Sequence, residues 1–446
     1  MRTIADHAQA LADGRTSSRA LVETCLARIA DPDGEGARAF VKVYAEQARA
    51  SADAMDQLRR VNRAPGPYAG IPISLKDLLD VAGEPTPAGS RILAEAPPAA
   101  AHAPVVARLL AAGFVPVGRT NMTEFAYSGL GLNPHYGTPL SPWDRASRRI
   151  PGGSSSGAAV SVADGMALAA IGTDTGGSCR IPAAYCGVVG YKPTARRVPI
   201  EGVLPLAPSL DSVGPLARSV SCCALVDAVL AGNPPMPVAP IPVAGLRLAL
   251  AENVVLDGLD PDVAAVFDQT LATLSKAGAR IVRTRFAEFE ESQILNAAGG
   301  LSAAEAFAWH RPMLSDKRAL YDPRVRARIL RGERIGTADY IGLRAARARL
   351  IARFDASTAG FDAVLMLTSS IPPPRIADLA DDQDYNRLNM LSLRNTALGN
   401  FLDRCAISLP CHRPGEPPAG LMLMGETMGD ARLFAIAAGV EAVLTG

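Results

Sequence analysis

The chain has 446 residues, of which 48% are hydrophobic and 20% charged, so it can build a large core and is not expected to be disordered. A formal net charge of +1 gives no general attraction to nucleic acid or to an acidic membrane. The polar start lacks an apolar leader, and no run of about 18 apolar residues could span a bilayer. We therefore expect a cytoplasmic protein built as one large α/β domain or two lobes.

In chain order, the pattern predicts helices and strands in alternation. Residues 1–60 are predicted to be helical, and 70–83 to begin as a buried strand. A helix followed by a short strand is predicted at 105–121 and again at 157–178. Strands and helices continue after a Pro-rich connection near residue 234. This alternation favours a largely parallel sheet covered by helices.

Lysine is scarce in this chain, where only 5 of the 45 basic residues are Lys. Lys76 is distinctive because it ends an apolar run over residues 71–75. Burial lowers the pKa of a lysine, which would make a neutral amine available as a base. Alternatively, Lys76 extends its charge towards solvent and pairs with Asp77 or Asp80.

Two glycine-rich stretches carry hydroxyl groups. "PGGSSSGAAV" (151–160) precedes a predicted helix, and it is no phosphate loop because Ala follows its last Gly where Lys is required. In "GTDTGGSCRIP" (172–182), Ser178 follows two glycines whose backbone can approach a ligand closely. Ser178 is either a nucleophile beside an oxyanion hole or a capping residue in an ordinary turn.

Other catalytic groups are less well supported by the sequence. None of the five histidines lies in a GxSxG context, and only His135 is near these stretches. Cys179, next to Ser178, is interpreted as a small packed side chain. The seven cysteines are scattered without CxxC pairs, so we expect reduced thiols, no metal and no cofactor.

Taken together, "GIPISLKDLLD", "PGGSSSGAAV" and "GTDTGGSCRIPAAYCGVVGYKPT" resemble, in this order, the three parts of the amidase signature family. The resemblance is strongest over residues 65–195. It implies one amidase domain over 1–446, with a central mixed β-sheet covered by helices on both faces. Residues 1–60 would form N-terminal helices, and about 234–446 would complete the sheet and the substrate pocket.

The resemblance also implies the roles of individual residues. Ser178 would be the nucleophile, Ser154 a relay after a cis Gly153–Ser154 bond, and Lys76 the base. The backbone N–H groups of Thr175, Gly176, Gly177 and Ser178 would form the oxyanion hole. The backbone of Ala126 would contact the substrate. Three polar residues would support the site: Ser155, Asp174 and Arg180.

The activity implied is hydrolysis of a small-molecule amide to an acid and ammonia or an amine through an acyl-enzyme. A homodimer is implied by the resemblance, and no nucleic acid or membrane partner is expected. Two alternatives remain: the glutaminase-type subunit of a tRNA-dependent amidotransferase, and a catalytically silent binding or scaffold protein. The chain departs from the family at Ser156, usually Gly, and at Asp403-Arg404-Cys405, where many relatives have Gly-Leu-Pro near the pocket.

Overall fold

The computed structural model describes residues 3–445, which form an eleven-stranded sheet and its helices. Residues 1–2 and 446 of the predicted domain lie outside the described residues. The strands are β1 Phe40–Val43, β2 Pro72–Lys76, β3 Val115–Thr120, β4 Ala169–Thr173, β5 Val189–Lys192, β6 Val213–Ala217, β7 Arg247–Ala251, β8 Arg280–Thr284, β9 Ala363–Leu367, β10 Ala406–Pro410 and β11 Gly420–Met424.

The α-helices are α1 Ile4–Ala12, α2 Ser18–Ile29, α3 Gly36–Ala39, α4 Ala45–Arg60, α5 Pro104–Ala111, α6 Ser156–Ala163, α7 Arg180–Cys186, α8 Val220–Ala231, α9 Pro261–Lys276, α10 Ala287–Asn296, α11 Gly300–Leu314, α12 Pro323–Leu330, α13 Thr337–Thr358, α14 Asp382–Phe401 and α15 Asp430–Thr445. Within residues 3–445, no helix is both long and apolar enough to cross a membrane.

The sheet is mixed, with strand order β1-β3-β2-β4-β6-β5-β10-β11-β9-β7-β8. Only β2 with β3 and β4, and β7 with β8 and β9, pair in parallel. The expectation of a largely parallel sheet is therefore wrong, and the mixed sheet implied by the family resemblance is confirmed. The reason is that β5–β6 and β10–β11 are joined without a crossover helix, which suits antiparallel neighbours.

Helices cover both faces of the sheet, as expected. On one face a continuous apolar core packs the sheet against α5, α8, α9 and α15. The other face carries two separate apolar clusters, one with α2, α4 and α6 and one with α10, α13 and α14. Helix α7 follows the segment that contains Ser178 and packs its Ile181 and Tyr185 into a smaller apolar cluster.

The N-terminal 60 residues are not wholly helical. Phe40–Val43 forms the edge strand β1 and pairs antiparallel with β3. Strand formation in so short a segment depends on its partner in the sheet, which local residue patterns do not reveal.

We expect Leu423→Ala to destabilise the fold strongly, because Leu423 is fully buried in β11 and belongs to the continuous core. Removing a buried leucine side chain costs about 2–5 kcal/mol. Urea unfolding followed by circular dichroism should show a clear fall in the midpoint. Leu110→Ala, at a position 38% exposed, is the control, and equal shifts for both variants would contradict this description of the core.

Candidate active site

The lysine of the site stands at the end of β2. Because side chains alternate along a strand, Leu75 packs into the continuous core while Ser74 and Lys76 face α6, where Ser74 Oγ lies 2.9 Å from Ser161 Oγ. Strands β2 and β4 are parallel neighbours, so their carboxyl ends lie side by side. Lys76 Nζ therefore reaches Thr173, the last residue of β4, and donates to its Oγ1 at 2.9 Å.

Lys76 Nζ also donates to Ser154 Oγ at 2.8 Å. The lysine is fully buried. Burial lowers the pKa of Lys76 to about 8, although the negative charges of Asp174 and Asp211 oppose this shift. A substantial fraction of neutral amine is therefore present at mildly alkaline pH, in contact with a serine hydroxyl. The alternative of a lysine extended towards solvent is excluded by this burial.

The serine-rich segment turns into α6 directly after Ser154. The Gly153–Ser154 peptide bond is cis, as the family resemblance implies. Ser155 N–H donates to the carbonyl of Ser178 at 3.3 Å, and Ser155 Oγ donates to the carbonyl of Thr173 at 3.4 Å. Ser155 thus joins the segment of Ser154 to the segment of Ser178 and to the end of β4.

The carboxylate of Asp174 holds the loop that carries Ser178. It accepts from Gly177 N–H at 2.8 Å and from Cys179 N–H at 3.1 Å, one on each side of Ser178. Arg180 donates to the same carboxylate through Nε and Nη2 at 3.0 and 2.9 Å. The predicted supporting residues Asp174 and Arg180 therefore form one hydrogen-bonded unit with the nucleophile loop.

Both members of the Asp174–Arg180 pair are completely buried. Burial disfavours the carboxylate, but the charge and hydrogen bonds of Arg180 outweigh this effect and lower the pKa of Asp174 to about 2. Asn400 Nδ2 adds a further hydrogen bond to Asp174 at 2.9 Å. Asp174 is thus ionised across the physiological range, which keeps its backbone contacts strong.

One of the four N–H groups predicted to form the oxyanion hole has another partner. The Gly177 N–H group donates to Asp174, so it is not directed at a substrate oxygen in this structure. The donors that remain for the predicted hole are the N–H groups of Thr175, Gly176 and Ser178. Because the Gly177 φ of 136° lies in a region that L-residues rarely adopt, a glycine is needed here for loop geometry.

Helix α14 holds the nucleophile loop from the C-terminal part of the chain, and sequence reasoning missed it. Thr396 Oγ1 donates to the carbonyl of Gly176 at 2.6 Å, and Asn400 Nδ2 reaches both the side chain and the carbonyl of Asp174. The two residues lie four positions apart and share one helix face. Buried polar residues at helical spacing in "NMLSLRNTALGN" are the signal that could have indicated this support.

Ala126 lies in a short turn over Glu124–Ala126. Phe125 and Ala126 have φ angles of 51° and 59°, which is uncommon for residues other than glycine. The preceding Thr123 N–H donates to the carbonyl of Ser154 at 3.0 Å. The structure thus brings the segment of Ala126 into direct contact with the proposed relay serine.

The alternative base, His135, has an acidic partner, and the alternative nucleophile, Cys179, is buried. His135 Nε2 lies 2.8 Å from the buried carboxylate of Glu124. Cys179 is fully buried, and burial raises the pKa of its thiol well above the usual value. This agrees with its interpretation as a packed small side chain.

The departures from the family pattern contact segments other than the nucleophile loop. Ser156 Oγ donates to the carbonyl of Asn121 at 3.4 Å. Arg404 packs over Phe354 and donates to Thr358, both on α13. Asp403 pairs with Arg196, and Cys405 contacts the carbonyl of Glu426. The expected influence of 403–405 on the pocket therefore gains no support from these contacts.

Comparisons with known proteins agree with this architecture. The family model described as Amidase matches residues 20–434. A 2-amino-5-chloromuconic acid deaminase from Comamonas testosteroni is 39% identical over 99% of this chain and 96% of its own. A glutamyl-tRNA(Gln) amidotransferase subunit from Acidobacterium capsulatum is 33% identical, with 98% of each chain covered.

A solved structure described as an amidase superposes on the chain with a TM-score of 0.89 and 30% identity, covering 99% of both chains. The agreement extends over the whole sheet and its helices rather than over the signature residues alone. These similarities confirm the α/β fold that the resemblance implies, and they favour an enzyme over a catalytically silent scaffold. The chain belongs to the amidase family and is a hydrolase that acts on amide C–N bonds.

Proposed function

We propose that the chain cleaves its amide through an acyl-enzyme on Ser178, with Ser154 as proton relay and Lys76 as base. The observation that carries this proposal is the 2.8 Å hydrogen bond from Lys76 Nζ to Ser154 Oγ in a fully buried site. A lysine with a pKa near 8 has a deprotonated population that can accept a proton from a hydroxyl. The main-chain hydrogen bond from Ser155 to Ser178 keeps the two serine segments adjacent.

In the first half-reaction, Ser178 Oγ attacks the amide carbonyl carbon and gives its proton to Ser154 Oγ. Ser154 passes its own proton to neutral Lys76, so that one proton moves along the chain of three groups. The carbonyl oxygen becomes an oxyanion, which the N–H groups of Thr175, Gly176 and Ser178 stabilise. The C–N bond then breaks, and the leaving nitrogen takes the proton back through Ser154.

In the second half-reaction, water attacks the ester carbonyl of the acyl-enzyme and loses a proton along the same route. Breaking the bond to Ser178 Oγ returns the proton to that oxygen and releases the acid. The products are one carboxylic acid and one ammonia or amine. This route uses only residues of this chain. All the residues proposed for this route lie within the proposed signature core of 65–195. Helix α14, which contacts the loop of Ser178, lies in the proposed C-terminal part.

The amidotransferase alternative is supported by the 33% identical relative from Acidobacterium capsulatum. It is less favoured, because the 39% identical relative is named as a deaminase of a small acid. Hydrolysis of simple amides by the purified chain alone would separate the two functions, since a member of an amidotransferase complex is expected to need that complex for full activity.

Replacing the nucleophile should abolish turnover. We expect Ser178→Ala to lower kcat/KM by at least about a thousandfold, since loss of a covalent nucleophile removes the acyl-enzyme route. Release of ammonia or amine would be measured with primary amides and an anilide. Ser156→Ala, a buried serine in the neighbouring segment, is the matched control and should stay within a few-fold of the wild type. Turnover by Ser178→Ala at the wild-type rate would refute the proposed nucleophile.

The pH profile should identify the base. A base works deprotonated, so kcat/KM should rise as the pH increases through about 8, where Lys76 loses its proton. Lys76→Met should lose at least about a thousandfold in kcat/KM at every pH and show no such rise.

Lys192 provides a matched control, because burial also lowers its pKa to about 8. In Lys192→Met, kcat/KM should still rise with pH near pH 8, and this rise is the ascending limb of the profile. A limb that persists in Lys76→Met and disappears in Lys192→Met would show that the base had been assigned to the wrong lysine.

A further inference from the structure

The turn at 123–127 contains a buried acid whose contacts the proposed reaction does not use. Glu124 is completely buried between Thr123, which bonds to Ser154, and the left-handed residues Phe125 and Ala126. Two consecutive non-glycine residues in this conformation are strained and persist only where the surroundings hold them. The contacts of Glu124 and Phe125 therefore help to hold this turn in its conformation.

The carboxylate of Glu124 joins three separate segments of the chain. Its Oε1 accepts from Ser90 Oγ at 2.7 Å and lies 2.8 Å from His135 Nε2. Its Oε2 accepts from the N–H group of Asp322, the N-cap of α12, at 2.7 Å. One carboxylate thus holds the loop after β2, the loop around residue 135 and the start of α12 against the turn.

Phe125, the next residue of the turn, is surrounded by aromatic rings. The ring of Phe125 lies 4.4 Å from that of His310 and 5.6 Å from that of Tyr321, measured between centroids. Trp309 adds a third ring at 6.0 Å. These aromatic residues come from α11 and from the segment leading into α12, so the covering segment 300–330 packs directly on the turn.

Glu124 is linked to Lys76 and to Ser154 through the hydrogen bonds of its neighbours in the chain and in space. On one side, Thr123 N–H donates to the carbonyl of Ser154 at 3.0 Å. On the other side, Ser90 follows Gly89, whose N–H donates to Asp77 Oδ2 at 3.0 Å, and Asp77 directly follows Lys76. The contacts form a closed ring that contains the Lys76–Ser154 hydrogen bond.

We propose that Glu124 is a positioning residue, which sets the separation of Lys76 and Ser154 by fixing the 123–127 turn and the loop after β2. This inference rests on the proposed function, since it concerns the same proton relay. Glu124 itself does not contact the reacting atoms. Its carboxylate is suited to this role because it accepts hydrogen bonds at both oxygens. A glutamine has one acceptor oxygen, so its amide nitrogen would either face the Asp322 N–H group or require Ser90 Oγ to accept instead of donate.

The test compares an amide with a nitrophenyl ester of the same acid in Glu124→Gln. An amide needs its leaving nitrogen protonated through Ser154, whereas nitrophenolate leaves without a proton. A displaced relay should therefore lower kcat for the amide more than for the ester. We expect the amide-to-ester ratio of kcat to fall by about tenfold or more, with a much smaller change in KM.

Asp430→Asn is the matched control. Asp430 is likewise buried and accepts three hydrogen bonds, from Tyr191 and from the backbone and side chain of Thr194. This variant should lose stability but keep the wild-type ratio, because it lies outside the ring of contacts. A Glu124→Gln enzyme whose amide and ester rates fall equally, or do not fall, would overturn the proposal.

Ser90→Ala serves if Glu124→Gln does not fold, because it removes one donor and leaves the carboxylate in place. A fall of its amide-to-ester ratio by about twofold or more supports the positioning role, and an unchanged ratio overturns it. If the proposed function itself were wrong, Ser178→Ala and Lys76→Met would retain turnover. That result differs from failure of the positioning role alone, in which both variants would still lose turnover.

Discussion

The burial of Lys76 is the constraint on which the site depends. An ammonium group without solvent is unfavourable unless it is hydrogen-bonded or loses its proton. Its hydrogen-bond partners here are the hydroxyls of Ser154 and Thr173. A hydroxyl can accept a hydrogen bond from the ammonium and can donate one to the neutral amine. The apolar strand β2 therefore both lowers the pKa of the lysine and directs it to a group from which it can take a proton.

A second buried lysine differs from Lys76 in the group that it contacts. Lys192 ends β5, is as buried as Lys76, and has its pKa lowered to about 8 by burial. Its ammonium donates to the carbonyl of Pro193 at 2.6 Å. A carbonyl has no proton to give, so the chemistry that a buried lysine supports depends on the partner it faces.

Much of the site could be predicted because its chemistry requires particular residue types in short segments. The lysine after an apolar run and the serine after two glycines were recognisable from the expected burial of the strand and from backbone freedom. The contacts of Thr396 and Asn400 with the nucleophile loop were not, because they join residues far apart in the chain. The antiparallel strands and the edge strand β1 were missed for the same reason, since pairing partners leave little local pattern.

By itself, the sequence determined which reactive groups are available, the family they indicate, and the alternation of helices and strands. It could do so because the proposed nucleophile, relay and base lie in local motifs whose glycines and apolar flanks have direct physical meanings. The tertiary structure alone decided which buried lysine meets a hydroxyl, that Gly177 N–H faces Asp174, and that Glu124 joins three loops. Hydrogen-bond direction depends on side chains brought together by folding, and the order of residues does not specify it locally.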